Sequence, residues 1–461
     1  MVFSSTIFLF AFLPFTLAGY YLLPQKARNE FLLCMSLLFY AVGEPSFVFV
    51  MLLSIAINYL MGIAISAVRS AGQFLRRLVL VLAVAVNLAL LFYYKYFDFA
   101  VGLVNGLLHT ELPLKRIALP IGISFFTFQS MSYLFDLHMG KTAVQKNPFR
   151  LALYVALFPQ LIAGPIVRYA DVAREISFRK STTDDFAYGL NRFAVGLMKK
   201  VVLSNNIALL ADQAFAMQEG HFGLGVAWLG AIAYAFQIYF DFSGYSDMAI
   251  GLGRMFGFHF LENFHYPYLS CSISNFWRRW HISLSSWFRD YVYIPMGGNR
   301  RGNVYMHLLV VFLLTGLWHG ASWNFIVWGI WHGMFILIER LAKHRTWHLP
   351  KPIGWLYTML VVLVGWVWFR APSLSAAMAY LKTMAGFRGL ALQESFYLLE
   401  DYGMLLLVCV ASALPIVPWM KRHLREETQA WLRPVLVCTG MLVGIAFTVT
   451  STYNPFIYFN F

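Results

Sequence analysis

The chain has 461 residues, of which 60% are hydrophobic, 18% aromatic and only 12% charged. That balance excludes a soluble globular protein and points to an all-α polytopic membrane protein. Lysine and arginine number 35 against 21 aspartates and glutamates, but the basic residues cluster between apolar runs, as cytoplasmic loops do under the positive-inside rule, and give no ground for nucleic-acid binding.

The first apolar run, 4–23, has no basic residue ahead of Lys26, so it lacks the charged leader of a cleavable signal peptide and reads as a retained span. A shorter run at 31–42 reads as a tilted or incomplete span. Runs near 45–68, 77–96, 117–136 and 148–166 follow, with Arg69, Arg76 and Arg77, then Lys141, Lys146 and Arg150, between them. Counting alternately places the amino terminus outside, provided 31–42 crosses. Residues 168–215 and 254–303 mix charge with aromatics and read as helices lying in the interface or dipping part-way into the membrane. The run 223–240 separates them. Runs near 304–319, 321–338, 353–370, 402–419 and 434–451 complete the series, giving roughly 10 to 13 membrane-embedded helices in one domain, 1–461. Cys34, Cys271, Cys409 and Cys438 fall in or beside apolar runs at no metal-ligand spacing and read as packing residues; no metal site is expected. No internal repeat stands out, which weakens a reading built on the inverted repeats of transporters.

Candidate chemistry begins with carboxylates. Asp136 closes an apolar run, and Asp241 and Asp247 sit in Tyr239-Phe-Asp-Phe-Ser-Gly-Tyr-Ser-Asp247. Six residues apart, Asp241 and Asp247 are not neighbours on a helix, and pairing with Arg254 or with backbone amides is the expected use. In Ser274–Arg289 the residues Trp277, Trp280, His281, Leu284, Trp287 and Phe288 follow helical spacing and form one stripe, with Arg278, Arg279, Ser285 and Arg289 opposite. This predicts an amphipathic interfacial helix with His281 turned inward, either as a hydrogen-bonded histidine among tryptophans or as a site residue.

His319 and His332 each stand in a Trp-His-Gly context within apolar sequence. An ionisable side chain at membrane depth is costly, which makes it a functional candidate, and histidine is suited to moving protons near neutral pH. On one continuous helix the two would lie about 20 Å apart on differing faces. They can serve the same substrate atom only if the chain breaks at Gly320. Gly316, Gly320 and Ser322 around His319 allow close backbone approach, whereas His332 lies inside the next run. Trp318, Asn324 and Arg278 are candidate supporting residues.

Together these segments resemble the membrane-bound O-acyltransferase superfamily, and within it the bacterial branch that O-acetylates alginate and peptidoglycan. The resemblance covers nearly the whole chain: Met1-Val-Phe-Ser-Ser, Pro120-Ile-Gly-Ile-Ser-Phe, Phe158-Pro-Gln-Leu-Ile-Ala-Gly-Pro165, Gly196-Leu-Met-Lys-Lys200, Tyr239 to Asp247, Phe276-Trp-Arg-Arg-Trp-His281, Gly297-Gly-Asn-Arg300 and Gly316-Leu-Trp-His-Gly320, in that order. It implies a helical fold around a central funnel. His319 would be the residue required for acyl transfer, and His281, 38 positions upstream, its companion. The donor implied is acetyl-CoA or a related thioester, and the acceptor an exported polysaccharide, in a bacterial cytoplasmic (inner) membrane.

The end of the chain, Tyr453-Asn-Pro-Phe-Ile-Tyr-Phe-Asn-Phe461, resembles the tyrosine-bearing tail of the companion protein in teichoic-acid D-alanylation. That likeness makes Tyr458 either a transient acyl acceptor, handing acetyl to an extracytoplasmic SGNH/esterase-like acetyltransferase, or an interfacial aromatic anchor. Cys271, where an arginine is usual, and Ser204-Asn205, where an acidic residue usually follows the Lys-Lys pair, depart from the alginate pattern. Two rivals are D-alanyl transfer to teichoic acid and a transporter or flippase using the histidines as a proton relay.

Overall fold

The computed structural model describes residues 1–217, 222–344, 349–387, 389, 392–451 and 457, and among these the ordered elements are helices. Eight are long and apolar enough to cross a membrane: Val48–Ala67, Gln73–Leu108, Thr183–Ala216, Leu224–Met255, Trp323–Ala342, Lys351–Arg370, Gln393–Ala413 and Glu426–Thr450. Two shorter apolar helices, Phe8–Leu22 and Val304–His319, accompany them. Three expectations change. The run 117–136 gives only the 16-residue, almost wholly buried helix Ile123–His138, outside the spanning set. Residues 148–166 form no span: the chain turns extended at Leu157, leaving short helices Pro148–Ala156 and Phe158–Leu161 whose side chains are buried from Leu151 onward. Conversely, Thr183–Ala216, expected at the interface, is one 34-residue helical run with a π-turn at Lys199–Ser204. Asp184, Asp185 and Arg192 lie in its amino-terminal part and Asp212 near its end, and between them runs an apolar stretch, interrupted only by Lys199 and Lys200, that is long enough to span.

The chain forms two compact units, 1–193 with 246–261, and 194–245 with 262–461. The first is built on an aromatic core in which Phe3, Phe8, Phe12, Phe39 and Phe158 meet edge to face, tilted or, between Phe8 and Phe12, stacked. Its lipid-length helices Val48–Ala67 and Gln73–Leu108 are joined by a buried amide pair. Asn58 Nδ2 donates to Asn87 Oδ1 and Asn87 Nδ2 to Asn58 Oδ1, both at 2.9 Å, while each Nδ2 also reaches a carbonyl four residues back in its own helix. Asp136, fully buried here, pairs with Lys141 at 3.7 Å and accepts the Ala170 N–H.

The second unit holds the histidines. Helices Val304–His319 and Trp323–His344 pack against each other because glycines face glycines. A Cβ on Gly316 would run into the Phe325 carbonyl, and one on Gly329 into the Phe312 carbonyl. This is the small-residue contact by which membrane helices approach closely. Elsewhere in the unit, a Cβ on Gly244 would meet the Gly196 carbonyl at 2.8 Å, and that approach brings Lys200 to Asp241 at 2.5 Å, both buried.

Candidate active site

The helix at Val304 ends on His319, and Gly320 takes an extended backbone, φ −174°, before a new helix starts at Trp323. Any Cβ on Gly320 would overlap the Phe325 ring, so the reversal needs glycine. The break therefore falls where the sequence allowed it, and it folds His332 back toward His319: both imidazoles pack on Trp328, at 5.0 and 5.2 Å between ring centroids. His319 is also edge-on to Trp318 at 4.9 Å and Phe369 at 5.1 Å. Rings on three sides exclude water and leave the imidazole little freedom to reorient.

The stripe around His281 is real, but the single helix predicted from it is not. Ser272 Oγ accepts the Asn275 N–H and Glu339 accepts those of Ile273 and Ser274, starting a helix at Ile273 that stops at Trp277. The segment around Asn263 then intrudes. His265 N–H takes the Arg279 carbonyl, which a helix would have offered to Ser283. The Asn263 carbonyl takes the Ile282 N–H, and helix resumes over Ile282–Phe288. Between the two helices His281 sits at φ +44°, a left-handed conformation costing on the order of 1 kcal/mol for a residue with a Cβ. Periodicity alone cannot reveal a segment arriving from elsewhere in the chain.

His281 is 1% exposed, stacked edge-on against Phe242 at 4.6 Å and against Trp318 at 5.8 Å. Trp318 thus touches both His281 and His319. Burial without a charged partner pushes the His281 imidazole down to about 3, so it is neutral. His332, stacked on Phe276 and edge-on to Trp277, presses Nε2 against Gly365, and neither ring nitrogen has a hydrogen-bond partner among the described residues.

The other sequence candidates scatter. Asn324 is buried and donates to the Ala371 carbonyl, tying the start of its helix to the end of Lys351–Arg370. Arg278 is exposed. Asp247 pairs with Arg192 at 2.6 Å, and Asp241 with Lys200 and with the Ile457 N–H, at 2.9 Å. The expected backbone amide is present on Asp241; the expected Arg254 is not, since it pairs with Asp185. Tyr458 lies outside the described residues. Sequence reasoning missed Asn263, Phe242, Trp328 and Phe369: the aromatic residues carried no mark to set them apart among so many, and Asn263 sits in an unremarkable polar turn.

A helical membrane fold with two histidines, His319 and His332, buried on one indole, Trp328, defines a class of membrane protein with polar rings shielded from water. The comparisons with known proteins name it. Residues 122–379 match the model of MBOAT, the membrane-bound O-acyltransferase family, and the chain belongs to that family. It is 41% identical to the probable alginate O-acetylase of Pseudomonas putida, covering 100% of both chains. It is 34% identical to the peptidoglycan O-acetyltransferase of Helicobacter pylori over 100% of this chain and 98% of that one. The teichoic acid D-alanyltransferase of Bacillus subtilis is 29% identical over 49% of this chain and 61% of its own. The protein is a multi-pass membrane O-acyltransferase, which replaces the transporter reading.

Proposed function

We propose that this enzyme moves acetyl from a cytoplasmic thioester, acetyl-CoA, across the cytoplasmic (inner) membrane for O-acetylation of an exported cell-envelope polysaccharide or exopolysaccharide. The observation that carries the reading is the packing of His281 and His319 on the shared Trp318 indole. In the transfer step His319 takes the proton of an attacking hydroxyl, the hydroxyl oxygen bonds to the thioester carbonyl carbon, and the C–S bond breaks. The departing thiolate recovers the proton from the imidazolium. His281 is the companion that holds the donor or the charge developing on its carbonyl oxygen.

Acetyl is favoured over D-alanyl because the O-acetylating relatives align along the whole chain, whereas the D-alanylating ones align over about half. Tyr458 is the proposed transient acceptor, with an extracytoplasmic SGNH/esterase-like acetyltransferase as the next carrier. Supporting this, Ile457, the residue before it, is buried and bonded to Asp241. A phenol, ordinarily titrating near 10, needs a base, which His319 supplies. Purified His319→Ala protein should lose thiol release from acetyl-CoA by about 10²-fold or more; wild-type rates would remove the assignment. In cells, Tyr458→Phe should abolish O-acetylation of the exported polymer, and full acetylation would leave Tyr458 an anchor.

A further inference from the structure

The orientation of Asn263 is fixed by chemistry. The Ser283 backbone N–H can only donate, and it lies 3.2 Å from Asn263 Oδ1, so the amide oxygen, not the nitrogen, faces the His281 turn. Ser283 Oγ donates to the same oxygen at 2.9 Å. His281 Nδ1 stands 3.1 Å from it, and because that oxygen only accepts, Nδ1 carries the hydrogen. A neutral imidazole protonated at Nδ1 keeps its lone pair on Nε2. That atom is buried and has no partner among the described residues. Ring and hydrogen-bond contacts to the imidazole come from Phe242, Trp318, Asn263 and Ser283, none of them charged.

We propose that Asn263 is a positioning residue that holds His281 in the Nδ1–H tautomer, so that Nε2 binds the acyl donor by accepting a hydrogen bond from the amide N–H nearest its thioester. The inference rests on His281 belonging to the site, and it decides between the two roles open to that residue. A lone pair on Nε2 cannot donate to a carbonyl oxygen, so His281 orients the donor and does not stabilise the oxyanion. The two-carbon spacer of the pantetheine arm places its last amide N–H beside the thioester, within reach of a group lining the same cage as the base. The left-handed turn at His281 serves this placement, since Asn263 holds the turn by its own carbonyl as well as its side chain.

The test compares acetyl-CoA with an analogue whose cysteamine amide is replaced by an ester, which keeps the length and the carbonyl but has no N–H. Thiol release by the purified full chain gives kcat and KM for each. Wild type should favour the amide, mainly in KM, by roughly tenfold, the scale of one buried hydrogen bond left unmade. Asn263→Leu should flatten that preference. Asn263→Asp keeps an acceptor for all three donors, so it reports even if the leucine variant fails to fold. Its carboxylate stabilises the imidazolium and raises the His281 pKa; the preference should therefore persist at high pH and vanish as pH falls and Nε2 gains a proton. A preference unchanged in both variants at every pH, or absent in wild type, overturns the proposal while leaving the site intact. Full activity in His281→Ala overturns the membership of His281 itself.

Discussion

Two buried polar groupings use opposite logic. Between Val48–Ala67 and Gln73–Leu108, Asn58 and Asn87 satisfy each other's oxygens and spend their remaining hydrogens on backbone carbonyls. In the aromatic cage of the other unit, His281 Nε2 and both nitrogens of His332 have no such match among the described residues. Burying an unmatched polar atom costs about 1–3 kcal/mol, whereas a matched pair costs little. The amide pair that holds two helices together is closed in on itself, whereas His281 Nε2 is left open to the proposed acyl donor.

The contrast can be pressed at its most costly point first. Lys200→Met strands the Asp241 carboxylate in the interior and should lower stability by about 3–5 kcal/mol, read as a large fall in the unfolding midpoint in detergent. Adding Asp241→Leu should recover most of it, and no recovery would mean that the pair does not act as a pair. Asn58→Leu orphans the Asn87 amide oxygen and one of its N–H groups and should cost about 1 kcal/mol with thiol release retained. The Asn58→Leu/Asn87→Leu double variant should be more stable than the single one; a sum of two losses would deny the reciprocity. The mildest change is His332→Phe, which keeps the ring stack and removes two unmatched nitrogens. Stability should stay level or rise slightly, with activity within a few-fold of wild type. A loss as deep as that of His319→Ala would instead draw His332 into the site.

Much of this was legible in sequence because hydropathy reports depth. The spans at 48–67 and 351–370, the reversal permitted at Gly320 and the inward His281 all follow from which side chains lipid tolerates. What escaped depends on contacts distant in the chain. Residues 148–166 read as lipid-facing because protein core and bilayer select the same side chains, and only the extended Leu157 tells them apart. Arg254 was the nearest cation to Asp241 and Asp247 along the chain, yet both found partners on a helix some 50 residues earlier, Lys200 and Arg192. The helix through Arg278–His281 failed because Asn263 and His265 claim its hydrogen bonds, an event periodicity does not record.

The Lys200–Asp241 pair also bears on how the protein enters the bilayer. Each residue alone would add about 2.5–3.5 kcal/mol to the insertion of its helix. They sit in consecutive spanning segments, Thr183–Ala216 and Leu224–Met255. Entering together as a hairpin, the two segments cancel this pair of charges at matching depth, so the cell's insertion machinery meets one neutral pair where two mid-helix charges, taken singly, would each resist.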